Sequence, residues 1–116
     1  MKREFMDYVK DILDAVNKIE LFSKHISNFQ DFVSDEKTVL AVIKLLENIG
    51  GATKKIPEPI RRKYPNLPWN EMAGMRDILI HEYFGIDYEV VWKTIENDLP
   101  MVKNFIQQLW YENNDQ

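Results

Sequence analysis

Apolar residues recur at steps of three and four along most of the chain, which is the period of an α-helix rather than of a β-strand. The first such stripe consists of Phe5, Val9, Ile12, Val16 and Ile19. Charged and amide residues fill the positions between them, so residues 2–24 are predicted to form one long helix with one buried face. His25 follows this helix, and its place near the C-terminal end indicates only a solvated residue favoured by the helix dipole.

A second stripe predicts another long helix, from an N-cap at Ser34 or Asp35 to about Ile56. Its buried positions are Val39, Val42, Ile43, Leu46 and Ile49. The connection at residues 27–32 is predicted to be a single helical turn or a loop that places Phe29 and Phe32 on the core.

Gly50 and Gly51 stand near the end of this second helix. Each glycine costs a helix about 1 kcal/mol relative to alanine. We therefore expect another backbone to approach closely at this point, and a kink is the alternative.

Prolines divide the rest of the chain. Pro57 cannot continue the second helix, and Pro59 favours the start of one short helical turn. Pro68 is well placed to begin a third long helix, expected to run through Tyr83 and to end at Gly85 in a left-handed conformation.

The last part of the chain predicts two more helices, since Asp87 is a suitable N-cap and Pro100 marks a break or restart. The stripe of the last helix is Met101, Phe105, Ile106 and Leu109, and residues 112–116 are expected to fray. No strand alternation or internal repeat is evident. The prediction is an all-α fold, an antiparallel bundle of four to five helices in one domain over residues 1–116.

Composition narrows the class of protein. No apolar run reaches the roughly 20 residues of a membrane span, and the N-terminus lacks a signal-peptide core. The absence of cysteine excludes disulfides, zinc thiolate sites and thiol catalysis. A soluble cytoplasmic protein is the expectation.

The net charge of −4 argues against a general affinity for nucleic acid. One segment departs from this balance, with a single acid, Glu58, among five basic residues. These are Lys54, Lys55, Arg61, Arg62 and Lys63. Such a patch can contact RNA or nucleotide phosphates, and a solvated turn between helices is the equal alternative.

The third predicted helix carries polar residues on an otherwise apolar segment: Arg76, Asp77, His81 and Tyr83. In an ideal helix Asp77 and His81 are direct neighbours, and Arg76 lies in line with Tyr83. Arg76 and His81 do not share a face, so a second copy of the helix in a dimer would complete a site more easily. Gly74 would allow that copy to come close.

An arginine, a histidine and a tyrosine without metal-ligand spacing suit phosphodiester cleavage. Arg76 can bind a phosphate in a fork, and His81 can move a proton. The sequence contains no P-loop, dinucleotide fingerprint or nucleophilic serine motif. The structural alternative is that Arg76 pairs with Asp77 or Glu71 and that His81 caps a buried helix.

At these residues the chain resembles the HEPN superfamily, specifically the HepT-like ribonuclease toxins that pair with a minimal nucleotidyltransferase antitoxin. The signature stands here as Arg76-Asp77-Ile78-Leu79-Ile80-His81-Glu82-Tyr83, preceded by Pro68-Trp69 and Ala73-Gly74-Met75. Phe84-Gly85-Ile86-Asp87, Val91-Trp92 and Asn97-Asp98-Leu99-Pro100 follow it.

The resemblance implies a homodimer in which two Arg-His motifs face each other, and a metal-independent endoribonuclease with no cofactor. It implies that Arg76 and His81 are catalytic, with Asp77 supporting them, and that the antitoxin attaches AMP to Tyr83. The family often has a glutamate where this chain has Gly51, which could weaken the orientation of the basic residues. The alternative function is a non-catalytic HEPN module that presents nucleotide or substrate to a partner nucleotidyltransferase.

Overall fold

The computed structural model describes residues 4–81 and 85–114, with the backbone described at residues 76–81. Its α-helices are α1 (Phe5–Phe22), α2 (Phe29–Ser34), α3 (Glu36–Thr53), α4 (Glu58–Lys63), α5 (Trp69–Leu79), α6 (Tyr88–Lys93) and α7 (Leu99–Asn113). A π-helical turn spans Thr94–Asp98, and the two-residue strands β1 (Ile80–His81) and β2 (Gly85–Ile86) pair antiparallel. The prediction of a helical bundle is confirmed, and β1 and β2 are a two-residue pairing that no alternation in the sequence indicates.

The bundle is centred on α1 and α3, which pack against each other along their lengths. α7 covers the other side of α1, and α5 covers the other side of α3. Lys103 near the start of α7 lies 2.6 Å from the Glu20 carboxylate near the end of α1, so these two helices run in opposite directions.

The core is formed by the stripes that the sequence indicates. Among its completely buried side chains are Val9, Ile12, Ile19, Phe32, Val42, Leu46, Ile49, Met72, Ile106 and Leu109. Phe32 reaches the core from the short helix α2, which begins where the Asn28 side chain accepts a hydrogen bond from the Asp31 amide. Its ring packs on Trp92 of α6, with centroids 5.3 Å apart. The expectation for residues 27–32 is thus confirmed at Phe32.

The helical stripe fails at Met101, which is 39% exposed although the pattern places it inside. The buried positions of α7 are Leu99, Val102, Ile106 and Leu109, and Met101 lies about 140° from Ile106 around the helix axis. The break or restart predicted at Pro100 corresponds to the start of α7, with Pro100 in its first turn, directly after a π-helical turn flanked by helical dihedral angles at Lys93 and Leu99. Proline has no N–H to bond to the preceding turn, and a π-helical turn accommodates that loss.

Two further expectations are corrected. Gly51 is not approached by another backbone, since a Cβ built there would meet nothing within 4 Å. It instead borders a groove of about 540 Å³ between α1 and α3. Glu112 and Asn113 do not fray: they lie in α7 and hydrogen-bond to Tyr64, which holds this end of the helix.

Candidate active site and its basic platform

The motif residues lie at the end of α5 and in the strand that follows. Arg76 and Asp77 are in α5, and His81 is in β1, opposite Gly85 of β2. Tyr83 lies outside the described residues. α5 ends at Leu79 rather than continuing through Tyr83, so helical spacing no longer makes Asp77 and His81 neighbours.

The antiparallel pairing of β1 with β2 explains the early end of α5. Gly85 has a φ of +80°, which is the left-handed conformation that the sequence predicts for it. It adopts this conformation in β2 rather than just after a helix. The pairing of Ile80 with Ile86 gives the backbone of the segment after Leu79 partners outside the helix.

The start of α5 is fixed by the indole of Trp69. This side chain is 8% exposed, and its Nε1–H donates to the carbonyl oxygens of Arg61 at 3.1 Å and Tyr64 at 2.9 Å. Met72 and Met75 then bury the same helix against the core. Together these contacts hold the first two turns of α5. The same helix carries Arg76 and Asp77 further along.

Arg61, one of the five predicted phosphate contacts, is engaged with the backbone. Its Nη2 donates to the Thr53 carbonyl at 2.8 Å and its Nε to the Ile56 carbonyl at 3.1 Å. The carbonyls at the end of a helix lack intrahelical partners, and a cation near them is favoured by the helix dipole. Arg61 therefore joins the end of α3 to α4.

Tyr64 ties the same segment to the last helix. Its hydroxyl donates to Glu112 Oε1 at 2.9 Å and accepts from Asn113 Nδ2 at 2.8 Å. Partial burial and the hydrogen bond to Glu112 raise the pKa of Tyr64. The pKa of Glu112 is lowered, first by the hydrogen bond from Gln108 and then by that from Tyr64.

The other four basic residues, Lys54, Lys55, Arg62 and Lys63, are exposed. We call these four the basic platform. They stand on a segment whose ends are anchored to α3 by Arg61, to α5 by Trp69 and to α7 by Tyr64. The basic platform is consequently a set of exposed cations on a backbone that is held from three sides.

Sequence reasoning missed the anchoring roles of Trp69, Tyr64 and Asn113. One signal was available, because a buried tryptophan normally finds a hydrogen-bond acceptor for its indole N–H. It also missed the contact of His25, whose Nε2 lies 2.7 Å from Asp35 Oδ2. Asp35 is the N-cap of α3, with its other carboxylate oxygen accepting from the Thr38 amide.

Two properties of the described residues concern metal ions and membrane spans. Within the described ranges, no three histidine or acidic side chains come together in a way that could hold a metal ion. In the same part of the chain, none of the helices combines the length and the apolar character of a membrane span.

Comparison with known proteins decides the family. The family model described as "Ribonuclease HepT-like" matches residues 12–109, which is most of the chain. The chain belongs to the HepT-like ribonuclease family. The expectation of a ribonuclease is confirmed at this level.

Curated relatives of this HepT-like chain carry ribonuclease names. A "Probable ribonuclease HepT" of Thermococcus cleftensis is 50% identical over 109 residues, covering 94% of this chain and 98% of the relative. A protein of Methanocaldococcus jannaschii with a provisional RNase name is 42% identical over 93% of this chain and 88% of its own length. A similarly named protein of Caldanaerobacter subterraneus is 40% identical over 88% of this chain and 90% of its own length. No solved structure matches the chain.

Proposed function

We propose that this HepT-like chain is the toxin of a toxin–antitoxin pair and acts as a metal-independent endoribonuclease. The observation that carries the proposal is the complete Arg76-x4-His81-x-Tyr83 signature in a chain of this ribonuclease family. The position of Arg76 in α5 and of His81 in the paired strand β1 supports it, because both belong to segments held by backbone hydrogen bonds.

The chemistry assigns one role to each residue. His81 takes the proton from the attacking 2′-hydroxyl, or returns one to the leaving 5′-oxygen, as the phosphodiester bond breaks. Arg76 binds the phosphate in a fork and stabilises the charge that develops on its oxygens. Asp77 supports the orientation of these groups.

The basic platform extends the contact with RNA beyond the cleaved bond. Lys54, Lys55, Arg62 and Lys63 are exposed cations that can neutralise backbone phosphates. Arg61 does not contact RNA in this proposal. It anchors the basic platform, since its Nη2 donates to the Thr53 carbonyl. A local platform of this kind offsets an overall charge of −4.

The proposal includes a partner and a second copy of the chain. A cytoplasmic homodimer brings two Arg-His pairs to one cleft, and a minimal nucleotidyltransferase antitoxin attaches AMP to Tyr83. An added phosphate near Arg76 would compete with the RNA phosphate for the guanidinium and repel the strand. Modification would therefore silence cleavage without unfolding the protein.

A second candidate is a non-catalytic module that binds nucleotide or substrate for the transferase. Gly51 favours it, because a position that often carries a glutamate in the resembled pattern has no side chain here, only an open groove. This candidate predicts a stable complex with the transferase and no RNA cleavage at any concentration of protein.

The deciding experiment is cleavage of RNA by purified, antitoxin-free protein in EDTA. Wild-type protein is expected to cut, and His81→Ala to lower the rate by at least about 100-fold. His25→Ala is the matched control, since it removes the chain's only other histidine, which is exposed and lies beside Asp35. Full cutting by His81→Ala would reject the assignment of His81, and no cutting by wild-type protein would favour the binding module.

The AMP proposal has its own readout. Co-expression with the cognate transferase should add the mass of one or more AMP groups, and Tyr83→Phe should remove that gain. Tyr111→Phe is the control, because Tyr111 is 70% exposed and equally available to a non-selective transferase.

Light scattering at micromolar concentration tests the dimer: a monomer would contradict the shared cleft.

A further inference from the structure

A pocket of about 360 Å³ opens between α4 and the first turn of α5. We call it the α4–α5 pocket. Its lining includes Arg62, Pro65, Pro68, Asn70 and Glu71. Its volume falls within the range of small-molecule sites, so a single nucleotide unit is of suitable size.

The walls of this pocket are held from three directions before any ligand arrives. Trp69 lines it and bonds the carbonyls of Arg61 and Tyr64, so α4 cannot move away from α5 without breaking both bonds. Arg61 is itself fixed to the end of α3, and Tyr64 to Glu112 of α7. A preorganised pocket avoids part of the ordering cost of binding.

Two features of the lining favour an anionic group at one side. Arg62 is exposed and belongs to the basic platform, and no hydrogen bond or ion pair engages its side chain within the part of the chain that the structure describes. The pocket also lies beside the N-terminal turn of α5, where the helix dipole favours an anion, although the Trp69 and Met72 amides already donate to the Leu67 and Pro68 carbonyls. Both features suit a phosphate.

The remainder of the lining suits a base rather than a second phosphate. Pro65, Leu67 and Pro68 give an apolar surface on which the face of a base can lie. Asn70 offers an amide donor and acceptor, and the Glu71 carboxylate accepts hydrogen bonds. A site for phosphate alone would be uniformly basic, whereas here Glu58 and Glu71 balance two arginines.

The pocket is on the same helix as the motif. Asn70 precedes Arg76 by six residues, which is about 9 Å along the axis of α5. The two residues are also about 120° apart around the axis, so a strand with one nucleotide in the pocket has to turn around α5 to reach Arg76.

We propose that the α4–α5 pocket is a nucleotide subsite that holds one unit of the RNA strand beside the cleavage motif. Arg62 binds its phosphate, the Pro65–Pro68 surface contacts its base, and Glu71 accepts a hydrogen bond from an exocyclic amino group. Adenine and cytosine carry that group and uracil does not, so the subsite selects amino-bearing bases. The inference rests on the proposed function for the identity of the strand.

The experiment is equilibrium binding of AMP, CMP, UMP and adenosine, followed by the indole N–H resonances of the three tryptophans. AMP should shift the Trp69 signal and leave those of Trp92 and Trp110 in place. Arg62→Gln should weaken AMP about tenfold while leaving adenosine unchanged. Glu71→Gln should reduce the preference for AMP over UMP several-fold.

Two matched controls remove the same charges elsewhere. Lys37→Gln and Glu96→Gln alter exposed residues on α3 and in the π-helical turn, and should leave AMP binding unchanged. Retention of AMP binding by His81→Ala is expected, because the subsite does not need the cleavage motif. AMP that binds Arg62→Gln as tightly as wild type, or that shifts no Trp69 signal, overturns the subsite.

The outcomes separate this inference from the proposed function. Cleavage by wild-type protein together with unchanged AMP binding and an unchanged KM for RNA in Arg62→Gln would reject the subsite and leave the ribonuclease standing. Nucleotide binding that depends on Arg62 and Glu71, in a protein that never cuts RNA, would support the subsite and reject the ribonuclease.

Discussion

The two ends of α5 are built by different means. At its start, the Trp69 indole bonds two carbonyls of the preceding segment, and Arg61 and Tyr64 extend that anchoring to α3 and α7. At its end, the helix gives way to a strand, and His81 stands opposite Gly85 through backbone pairing.

The start of α5 therefore positions the helix, and its end carries the residues proposed for RNA cleavage. Side chains at the start of α5 are committed to other parts of the fold, and their loss should change stability or RNA binding. The end carries the residues proposed to act on the phosphodiester bond, whose loss should change the rate of cleavage. Substitutions in these two regions, and at two sites in and beside α3, should therefore differ in the property that they change.

Two arginines give the largest contrast. Arg76→Gln should lower kcat for RNA cleavage by about 100-fold, because it removes a donor to the charged transition state. Arg61→Gln should instead lower the free energy of unfolding by about 2 kcal/mol, because the Thr53 and Ile56 carbonyls lose a charged donor. Cleavage kinetics and urea denaturation of both variants measure the two quantities. An Arg61→Gln protein that keeps its stability but loses kcat would reverse the assignment.

Trp69 tests the start of α5 alone. Trp69→Phe keeps a buried ring but leaves the Arg61 and Tyr64 carbonyls without the indole donor, so stability should fall by about 2 kcal/mol. Trp110→Phe, at a partly buried tryptophan in α7, is the control and should cost less. Equal losses in the two variants would show that ring volume, not the hydrogen bonds, decides the effect.

Two glycines contrast strand β2, which contains Gly85, with the groove that Gly51 borders. Gly85→Ala should destabilise the protein by about 1 kcal/mol, since an alanine at a φ of +80° is strained. Gly51→Ala should stabilise it by about 0.5 kcal/mol, because the added Cβ meets nothing within 4 Å and alanine favours the helix. Thermal melts of the two variants should move in opposite directions; a shared direction contradicts one of the two environments.

The smallest effect concerns acid stability at the far end of α3. The hydrogen bond with His25, followed by those with Thr38, lowers the pKa of Asp35 from 3.8 to about 2. Because the folded-state pKa lies below the unfolded one, this contribution is complete above about pH 5 and is lost as the pH falls through 2. Asp35→Asn keeps a capping side chain but does not titrate, so its melting temperature should fall less between pH 5 and pH 2. Parallel curves for the two proteins would exclude Asp35 as a source of acid sensitivity.

The buried stripes were predictable, because burial in a bundle follows helical periodicity directly. Val42, Leu46 and Ile49 illustrate this on α3. The family and the motif could also be read from the sequence, since the Arg76-x4-His81-x-Tyr83 signature is local. The anchoring of the platform could not, because Tyr64 and Glu112 are 48 positions apart and their bond depends on how α7 returns past α4.

The end of α5 shows the other limit of sequence reasoning. Apolar residues at Ile78, Leu79 and Ile80 continue the helical pattern, yet the chain leaves the helix after Leu79. β-branched residues such as Ile80 also favour a strand, and Gly85 can adopt the positive φ that it has in β2. A local pattern compatible with both outcomes does not decide between them, and the pairing of β1 with β2 does.

The π-helical turn allows one additional residue between the buried positions of α6 and α7. Val91 and Leu99 are both buried but lie eight positions apart, which in a regular α-helix would put them about 80° out of phase. A separation of seven would put them within about 20° of each other. The turn at Thr94–Asp98 absorbs this one additional residue, so α6 and α7 both keep their apolar faces inward. It is thus a place where an insertion or deletion of one residue can be accommodated while the rest of the bundle keeps its packing.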